Sequence, residues 1–297
     1  MRLVTRADLD GLTCAVIITS CEDIDEVVLV HPQDITDKRF AVRSDDILAN
    51  LPFTRCGKWF DHHILTDNNQ FPREKFDGGY GLAASAARIV YDYYLGQNPD
   101  LRRYEALLFD TDRLDSAQLN VDDVLDPKGY ILLGLTLDPR TGLGAFCEYF
   151  MQMLDALKTR TIDEILALPE VQEKTQRMAQ QDAQFREITL ATSRLDGNVV
   201  FTDFREASPM PVGNRFIVYT LFPQANVQLR VHWGPSKLHV AAAVGHSIFN
   251  RTCRTNVGIL MSAYGGGGHK GAGTCLLPAE TADLKIAELI TALKKVG

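Results

Sequence analysis

Short apolar runs alternate with helical patterns over the first half of the chain. The helical patterns include 12–20 and 82–95, and the strand-like runs between them are 2–5, 27–30, 47–49 and 59–60. Such alternation is typical of βαβ units, in which neighbouring strands are parallel. The sequence therefore predicts an α/β protein with a parallel sheet in its N-terminal half.

The character of the sequence changes after a polar, helix-favouring stretch at 161–191. Beyond it, β-branched and aromatic runs are separated by Gly, Pro and Asn turns, at 198–204, 215–222, 227–233 and 238–244. A chain of 297 residues is long enough for about two domains. We predict an N-terminal domain over 1–160, a helical connector over 161–191 and a smaller α/β domain over 192–297.

Charge is distributed unevenly between the two halves. Residues 1–191 hold 20 Lys and Arg against 32 Asp and Glu, whereas residues 192–297 hold 11 against 6. No Asp or Glu occurs between Ala207 and Ala279. A stretch of one sign concentrates anions, so the basic half is predicted to face a phosphate-bearing partner. Chance depletion of acids in a β-rich domain is the alternative.

Composition excludes several classes of protein. No apolar run approaches the ~20 residues that a membrane helix needs. Asp8 and Asp10 occupy the place where a signal peptide would be apolar, so a cytoplasmic protein without a membrane partner is expected. The six cysteines form no Cys-x-x-Cys pair, which favours reduced thiols over disulfides or a zinc site.

The first candidate motif is Asp8-Leu9-Asp10-Gly11, which follows an apolar strand and precedes an apolar helix. Ligands of open parallel sheets bind at the carboxyl ends of strands. Two carboxylates one residue apart there can face a divalent cation, and Gly11 allows a tight turn. The same pattern is also typical of a turn or a helix cap.

The second motif, Asp61-His62-His63, ends another apolar strand. Adjacent side chains at a strand end diverge, so one imidazole can bind a metal while the other reaches a substrate. Asp61 can orient one of the rings. Two solvated surface histidines are the alternative.

The third motif is a glycine-rich stretch, 265–273, that contains His269 and Lys270. Backbone N–H groups without side chains beside them, together with two donors, favour a phosphate site. A flexible turn is the alternative, but the position of the stretch within the acid-free region favours the anion site.

Together the three motifs resemble the DHH phosphoesterase superfamily, in the subfamily with a GGGH-containing C-terminal domain. The resemblance spans nearly the whole chain in the same order. It implies a manganese-dependent hydrolase of phosphodiester or phosphoanhydride bonds, with one or two Mn(II) ions, or Mg or another divalent ion. Known members act on short oligoribonucleotides, cyclic dinucleotides, nucleotide phosphates or polyphosphate.

The resemblance also assigns roles to individual residues. Asp61 and His63 would serve catalysis beside the metal, with His63 on the substrate side. The implied metal ligands are Asp8, Asp10, His62 and Asp112, with Asp110 as a rival for the last position. The implied substrate-binding residues are His63, Arg251, Gly266, Gly267, Gly268, His269 and Lys270.

Two positions depart from the family pattern. Arg6 and Val4 stand where relatives carry a histidine ligand, and Asn50 is best placed for an aspartate that bridges two metals. Arginine cannot bind a cation but suits phosphate oxygens, so Arg6 is predicted to contact the substrate. These departures leave open a single-metal site.

The expected function is metal-assisted hydrolysis of short oligonucleotides, nucleotide phosphates or, as in exopolyphosphatases, polyphosphate. Aromatic residues at 216–222 are candidates for stacking on a base. The alternative is a nucleotide- or nucleic-acid-binding protein with a degenerate metal site. Assembly as a homodimer is left open.

Overall fold

The computed structural model describes residues 1–63, 75–137 and 146–295. The chain divides into two compact units. Unit 1 comprises Met1–Leu119 and Pro127–Arg177, and unit 2 comprises Asn120–Asp126 and Met178–Gly297. This division does not coincide with the predicted boundaries at 160 and 191, since unit 1 extends to Arg177. The predicted domain boundaries stay predictions.

Unit 1 contains a five-stranded sheet in which all paired strands are parallel, as predicted. Its spatial order is β2-β1-β3-β4-β5. The strands are β1 (Arg2–Thr5), β2 (Glu26–Leu29), β3 (Ile47–Ala49), β4 (Lys58–Asp61) and β5 (Asp77–Tyr80). In the register, Leu48 lies opposite Trp59 and Phe60 opposite Gly79. The α/β class with a parallel N-terminal sheet is confirmed.

Helices connect and cover these strands. They are α1 (Leu9–Ile18), α2 (Pro32–Thr36), α3 (Ala86–Leu95), α4 (Glu105–Asp115), α6 (Gly129–Leu137), α7 (Phe146–Thr159) and α8 (Ile162–Leu166), with a 3-10 helix at Pro99–Tyr104. Every residue of α1 is buried, as expected for a helix that is apolar all round. Helix α1 therefore forms the centre of the unit 1 core, and its N-terminus is fixed at the carboxyl edge of the sheet.

Unit 2 is built on a six-stranded mixed sheet with the order β10-β11-β9-β8-β7-β6. Only β7 and β8 pair in parallel. The strands are β6 (Ser193–Asp196), β7 (Val199–Asp203), β8 (Val227–Trp233), β9 (His239–His246), β10 (Gly267–His269) and β11 (Ala272–Pro278), and the helices are α5 (Val121–Leu125), α10 (Ile217–Leu221), α11 (Val257–Ser262) and α12 (Ala282–Lys295). Alternate residues of β8, such as Leu229 and Val231, enter a core shared with α12.

The segment predicted as a connector contains α8 and a long helix, α9 (Pro169–Thr192). The division between the two units falls within α9, after Arg177. No helix of the described ranges is both long enough and apolar enough to cross a membrane. All six cysteines are free, in agreement with the prediction of reduced thiols.

Candidate active site

Polar side chains from three neighbouring strands meet at the carboxyl edge of the unit 1 sheet. Arg6, Asp8 and Asp10 follow β1, Asn50 follows β3, and Asp61-His62-His63 ends β4. Since β1, β3 and β4 are adjacent and parallel, these residues all lie at one edge. This is the edge at which ligands of open α/β sheets bind.

Two of these side chains converge with a third from the end of α4. Among the described residues, ligand atoms of Asp10, His62 and Asp115 lie within 4.8 Å of one another. His62 Nε2 is 3.7 Å from Asp10 Oδ2 and 3.2 Å from Asp115 Oδ2. One imidazole and two carboxylates are a donor set that suits Mn(II), Mg(II) or Zn(II).

Asp10 is held by the start of α3. Its carboxylate accepts hydrogen bonds from the backbone N–H groups of Ala86, at 2.9 Å, and Ala87, at 2.7 Å. Burial raises the pKa of Asp10 well above its usual range, and the negative charges of Asp115 and Asp8 raise it further, while the two N–H groups act in the opposite direction. Because burial and neighbouring negative charges disfavour the ionised form of Asp10, a cation beside it would stabilise that form.

His62 presents an unsatisfied nitrogen to these carboxylates. Its Nδ1 lies 3.1 Å from the carbonyl oxygen of Ala83, which can only accept, so Nδ1 donates that hydrogen bond and Nε2 is the ligand atom that faces the carboxylates. Although Nε2 lies near Asp115, it is buried and makes no hydrogen bond of acceptable geometry. A metal ion bound by Nε2 would satisfy it, so the residues present fit a divalent cation.

Asp115 was missed by sequence reasoning. It ends α4, where the negative end of the helix dipole opposes a carboxylate. Burial raises the pKa of Asp115, while His62 lowers it. The phase of the helix could have identified it, because Asp115 follows Thr111 by four residues and Leu107 and Leu108 by about two turns, and all three are buried.

The structure places Asp112 and Asp110, the predicted metal ligands of this helix, elsewhere. Asp112 pairs with Arg88, with Nη2 at 2.5 Å from Oδ2, and accepts a hydrogen bond from the Ser85 hydroxyl at 2.6 Å. Asp110 pairs with Arg113 at 2.9 Å. Both carboxylates therefore face guanidinium groups, and neither belongs to the converging group.

Asp8 also differs from its predicted role. It caps α1 by accepting a hydrogen bond from Gly11 N at 2.9 Å, and the same oxygen accepts one from Asn50 Nδ2 at 3.1 Å. The other oxygen lies 2.9 Å from Arg6 Nε. Asp8 and Asn50 thus contact each other, but neither joins the converging group.

Asp61 orients the ring of His63. Asp61 is fully buried, and its Oδ1 lies 2.7 Å from His63 Nδ1. Burial lowers the pKa of His63, but the hydrogen bond and charge of Asp61 outweigh it, so the pKa of His63 is raised overall. The His63 side chain is 45% exposed, which leaves Nε2 accessible to a ligand.

In unit 2 the glycine-rich stretch is partly a strand. Gly267–His269 forms β10, an edge strand paired with β11, where a free loop was expected. A Cβ on Gly266 would lie 2.0 Å from the Thr274 carbonyl oxygen, and one on Gly268 would lie 2.3 Å from that of Ala272. Two of the glycines are therefore required by close backbone packing.

Other predicted substrate-binding residues of unit 2 remain accessible to different degrees. His269 and Lys270 are exposed, and Arg251 is fixed by a 2.9 Å hydrogen bond from Nε to the Ile248 carbonyl. A cavity of about 470 Å³ beside the glycines is lined by Arg230 and His232, which sequence reasoning did not single out. Alternation along β8 could have placed both on the sheet face opposite the core.

The aromatic stretch at 216–222 does not form the predicted strand. Ile217–Leu221 is helix α10, with Ile217, Val218 and Tyr219 buried. The Tyr219 hydroxyl donates to the Gly245 carbonyl at 2.8 Å. Packing of these side chains overrides the β preference of the sequence. Because Tyr219 is buried and hydrogen-bonded within unit 2, it does not present its ring to a base.

Comparison with known proteins gives one strong likeness and several distant ones. No family model matches the chain, and no curated protein does. The pGpG-specific phosphodiesterase PggH from Vibrio cholerae superposes with a TM-score of 0.85 and 38% identity, covering 100% of this chain and 99% of that one. The DHH domain of a member of the S1p family of ribosomal proteins gives 0.58 and 14%, with coverage of 99% and 86%.

RecJ from Thermus thermophilus, in complex with Mn²⁺, gives a TM-score of 0.57 and 11% identity and covers 100% of this chain and 52% of that one. At these identities the S1p-family protein and RecJ share only the fold. The likeness to PggH extends over the whole chain and includes the sequence.

Proposed function

The chain belongs to the DHH phosphoesterase superfamily, and we propose on this premise that it is a divalent-metal-dependent phosphodiesterase that hydrolyses linear dinucleotides to mononucleotides. The observation that carries the proposal is the convergence of Asp10 and Asp115 on the unpartnered Nε2 of His62. A buried nitrogen without a partner between two carboxylates is costly unless a cation binds there, which supports a functional rather than a degenerate metal site.

Asp10, His62 and Asp115 would hold the metal ion, and we propose Mn(II) as that ion. When bound, a divalent ion in this position polarises a phosphoryl oxygen and lowers the pKa of a water molecule. The residues around it supply orientation: Ala83 fixes the ring of His62, and Ala86 and Ala87 fix the carboxylate of Asp10. These contacts set the ligand geometry before substrate arrives.

His63 and Arg6 would contact the scissile phosphate. The ring of His63 is held by Asp61 in an environment that favours its protonated form, so its exposed Nε2–H can donate to a phosphate oxygen. The guanidinium of Arg6, fixed through Nε by Asp8, can donate from its remaining nitrogens. Both groups would neutralise charge that develops on the phosphate during hydrolysis.

The relative's activity on pGpG supports a dinucleotide rather than polyphosphate as substrate. His269, Lys270 and Arg251 of the acid-free stretch would contact the nucleotide away from the scissile bond. The cavity beside the glycines offers Arg230 and His232 as further donors.

The proposal is tested by incubating the full-length chain with Mn(II) and, separately, pGpG, pApA, cyclic di-GMP and polyphosphate. We expect release of 5′-mononucleotides from pGpG and no loss of polyphosphate. His62→Asn should abolish turnover, whereas His239→Asn, on an exposed histidine of β9, should not change it. Tight binding of pGpG without turnover in wild type would instead indicate a binding protein.

A further inference from the structure

Asp8 stands at the carboxyl edge of β1, beside the metal-competent group, yet its surroundings differ from that group. Its Oδ2 faces the guanidinium of Arg6 at 2.9 Å, and its Oδ1 accepts from Gly11 N and from Asn50 Nδ2. Two hydrogen bonds and one ion pair already satisfy this carboxylate, and the partner in the ion pair is a permanent cation.

We propose that Arg6 occupies the place and the charge role of a second metal ion, so that the chain binds one divalent ion only. The ion would be held by Asp10, His62 and Asp115, and the guanidinium would be the second positive group that faces the substrate phosphate. The phosphate-binding part of this inference rests on the proposed function; the number of ions does not.

Arg6 has hydrogen-bond donors available for this role. Only its Nε is committed to Asp8, and within the described part of the chain its other nitrogens have no partner. The side chain is 37% exposed, so these nitrogens remain accessible. A guanidinium donates two parallel hydrogen bonds to a phosphate and cannot act as a ligand to a cation.

Asn50 supports the same arrangement from the adjacent strand. It is 1% exposed and has a left-handed backbone with φ of 59°, and its amide nitrogen points to Asp8. A cation bound to Asp8 would require the amide oxygen in that position instead. With its nitrogen in place, Asn50 reinforces the pairing of Asp8 with donors.

A competing cation position exists on the same strands and must be excluded by experiment. Asn50 and Asp61 follow register partners of β3 and β4, and Asn50 Oδ1 and Asp61 Oδ2 are both buried without a hydrogen bond. Among the described residues, however, no further group of three His, Cys, Asp or Glu side chains converges there, and Asp8, which Asn50 contacts, is paired with Arg6. We therefore assign that edge to a single ion.

The number of ions is measured by titrating the metal-free, full-length chain with Mn(II) alone and counting bound Mn(II) by electron paramagnetic resonance. We expect one ion per chain in wild type, without the signature of an exchange-coupled pair. Arg6→His combined with Asn50→Asp frees Asp8 and adds two ligands, so it should bind two ions and show the coupled signature. Arg6→Ala combined with Asn50→Ala frees Asp8 without adding ligands and should bind one.

Two coupled ions in wild type would overturn the inference, as would a folded Arg6→His/Asn50→Asp protein that still binds one. Should that variant fail to fold, as judged by circular dichroism, the wild-type count decides by itself. Hydrolysis of pGpG is assayed on the same samples. One ion without hydrolysis contradicts the proposed function alone, and two ions with hydrolysis contradict this inference alone.

Discussion

Asp8 and Asp10 lie at the same edge of the unit 1 sheet, two residues apart in the sequence, but their surroundings differ. Asp8 is surrounded by donors from Arg6, Gly11 and Asn50. Asp10, by contrast, shares its site with another carboxylate and with an imidazole nitrogen that has no partner. The comparison teaches that residue type does not identify a metal ligand. What identifies it is whether a permanent cation of the protein already pairs with the carboxylate, because Asp10 also accepts two backbone hydrogen bonds and yet faces no guanidinium.

The largest expected effect separates Asp115 from Asp112, a second acidic residue of α4. Asp115→Asn removes a ligand charge, so the chain should lose bound Mn(II) and its pGpG turnover should fall on the order of a thousandfold, because several kcal/mol of charge stabilisation are lost. Asp112→Asn is the matched control. It breaks the partly exposed pair with Arg88 and should cost about 1 kcal/mol of stability.

Bound metal and kcat/KM, measured on both variants, check this prediction. Retention of metal in Asp115→Asn together with its loss in Asp112→Asn would restore the ligand assignment made from the sequence.

The next effect concerns Arg6. Arg6→Ala removes a charged donor, worth about 1.5–3 kcal/mol for a hydrogen bond to a charged group, so KM for pGpG should rise roughly 10- to 100-fold. The metal content should stay unchanged, because Arg6 is not a ligand. Steady-state kinetics and elemental analysis on one preparation give both values, and loss of metal from a folded variant would contradict the proposed role.

A smaller effect is expected in the pH dependence of substrate binding. The pKa of His63 is raised above its ordinary value by Asp61, so protonated His63 persists as pH rises and is lost once pH passes that raised value. In Asp61→Asn the attraction between Asp61 and protonated His63 is removed while the burial of His63 remains, so the pKa of His63 falls. The rise of KM with pH should therefore begin at a lower pH in Asp61→Asn. Superimposable pH profiles would exclude His63 as the group that titrates.

The smallest effect is expected in unit 2. His269→Ala should raise KM for pGpG several-fold, since one donor to the substrate is lost, about 0.5–1.5 kcal/mol. A small activated phosphodiester should be hydrolysed as before. His239→Ala, at another exposed histidine of the same sheet, is the control. Equal losses on both substrates would place His269 in the catalytic machinery.

Much of the fold was predictable because its strands carry their own pattern. The apolar runs at Arg2–Thr5 and Ile47–Ala49 match the observed strands. Strand β5, Asp77–Tyr80, was missed because Asp-Gly-Gly-Tyr contains no apolar run and pairs through its backbone at the sheet edge. The stretch 215–222 has β-branched residues but forms α10, since tertiary packing decides its conformation.

The site was predictable only where the motif itself fixes the geometry. Asp10 lies at the start of α1 after β1, and His62 directly follows β4, so both lie at the carboxyl edge of the parallel sheet and their approach follows from topology. Asp115 is one of four acidic residues within α4, and the choice between it and Asp112 depends on Arg88, which lies on another helix and pairs with Asp112. That pairing leaves no local signal in the sequence, so the choice of Asp115 could have come only from the phase of the helix, which places it with buried Thr111.

The most direct test is a crystal structure of the chain soaked with Mn(II), with the ion located by its anomalous scattering. We expect one peak per chain, bound by Asp10, His62 and Asp115, with Arg6 still paired to Asp8. A peak between Asp8 and Asn50, or the absence of any peak beside His62 Nε2, would contradict it.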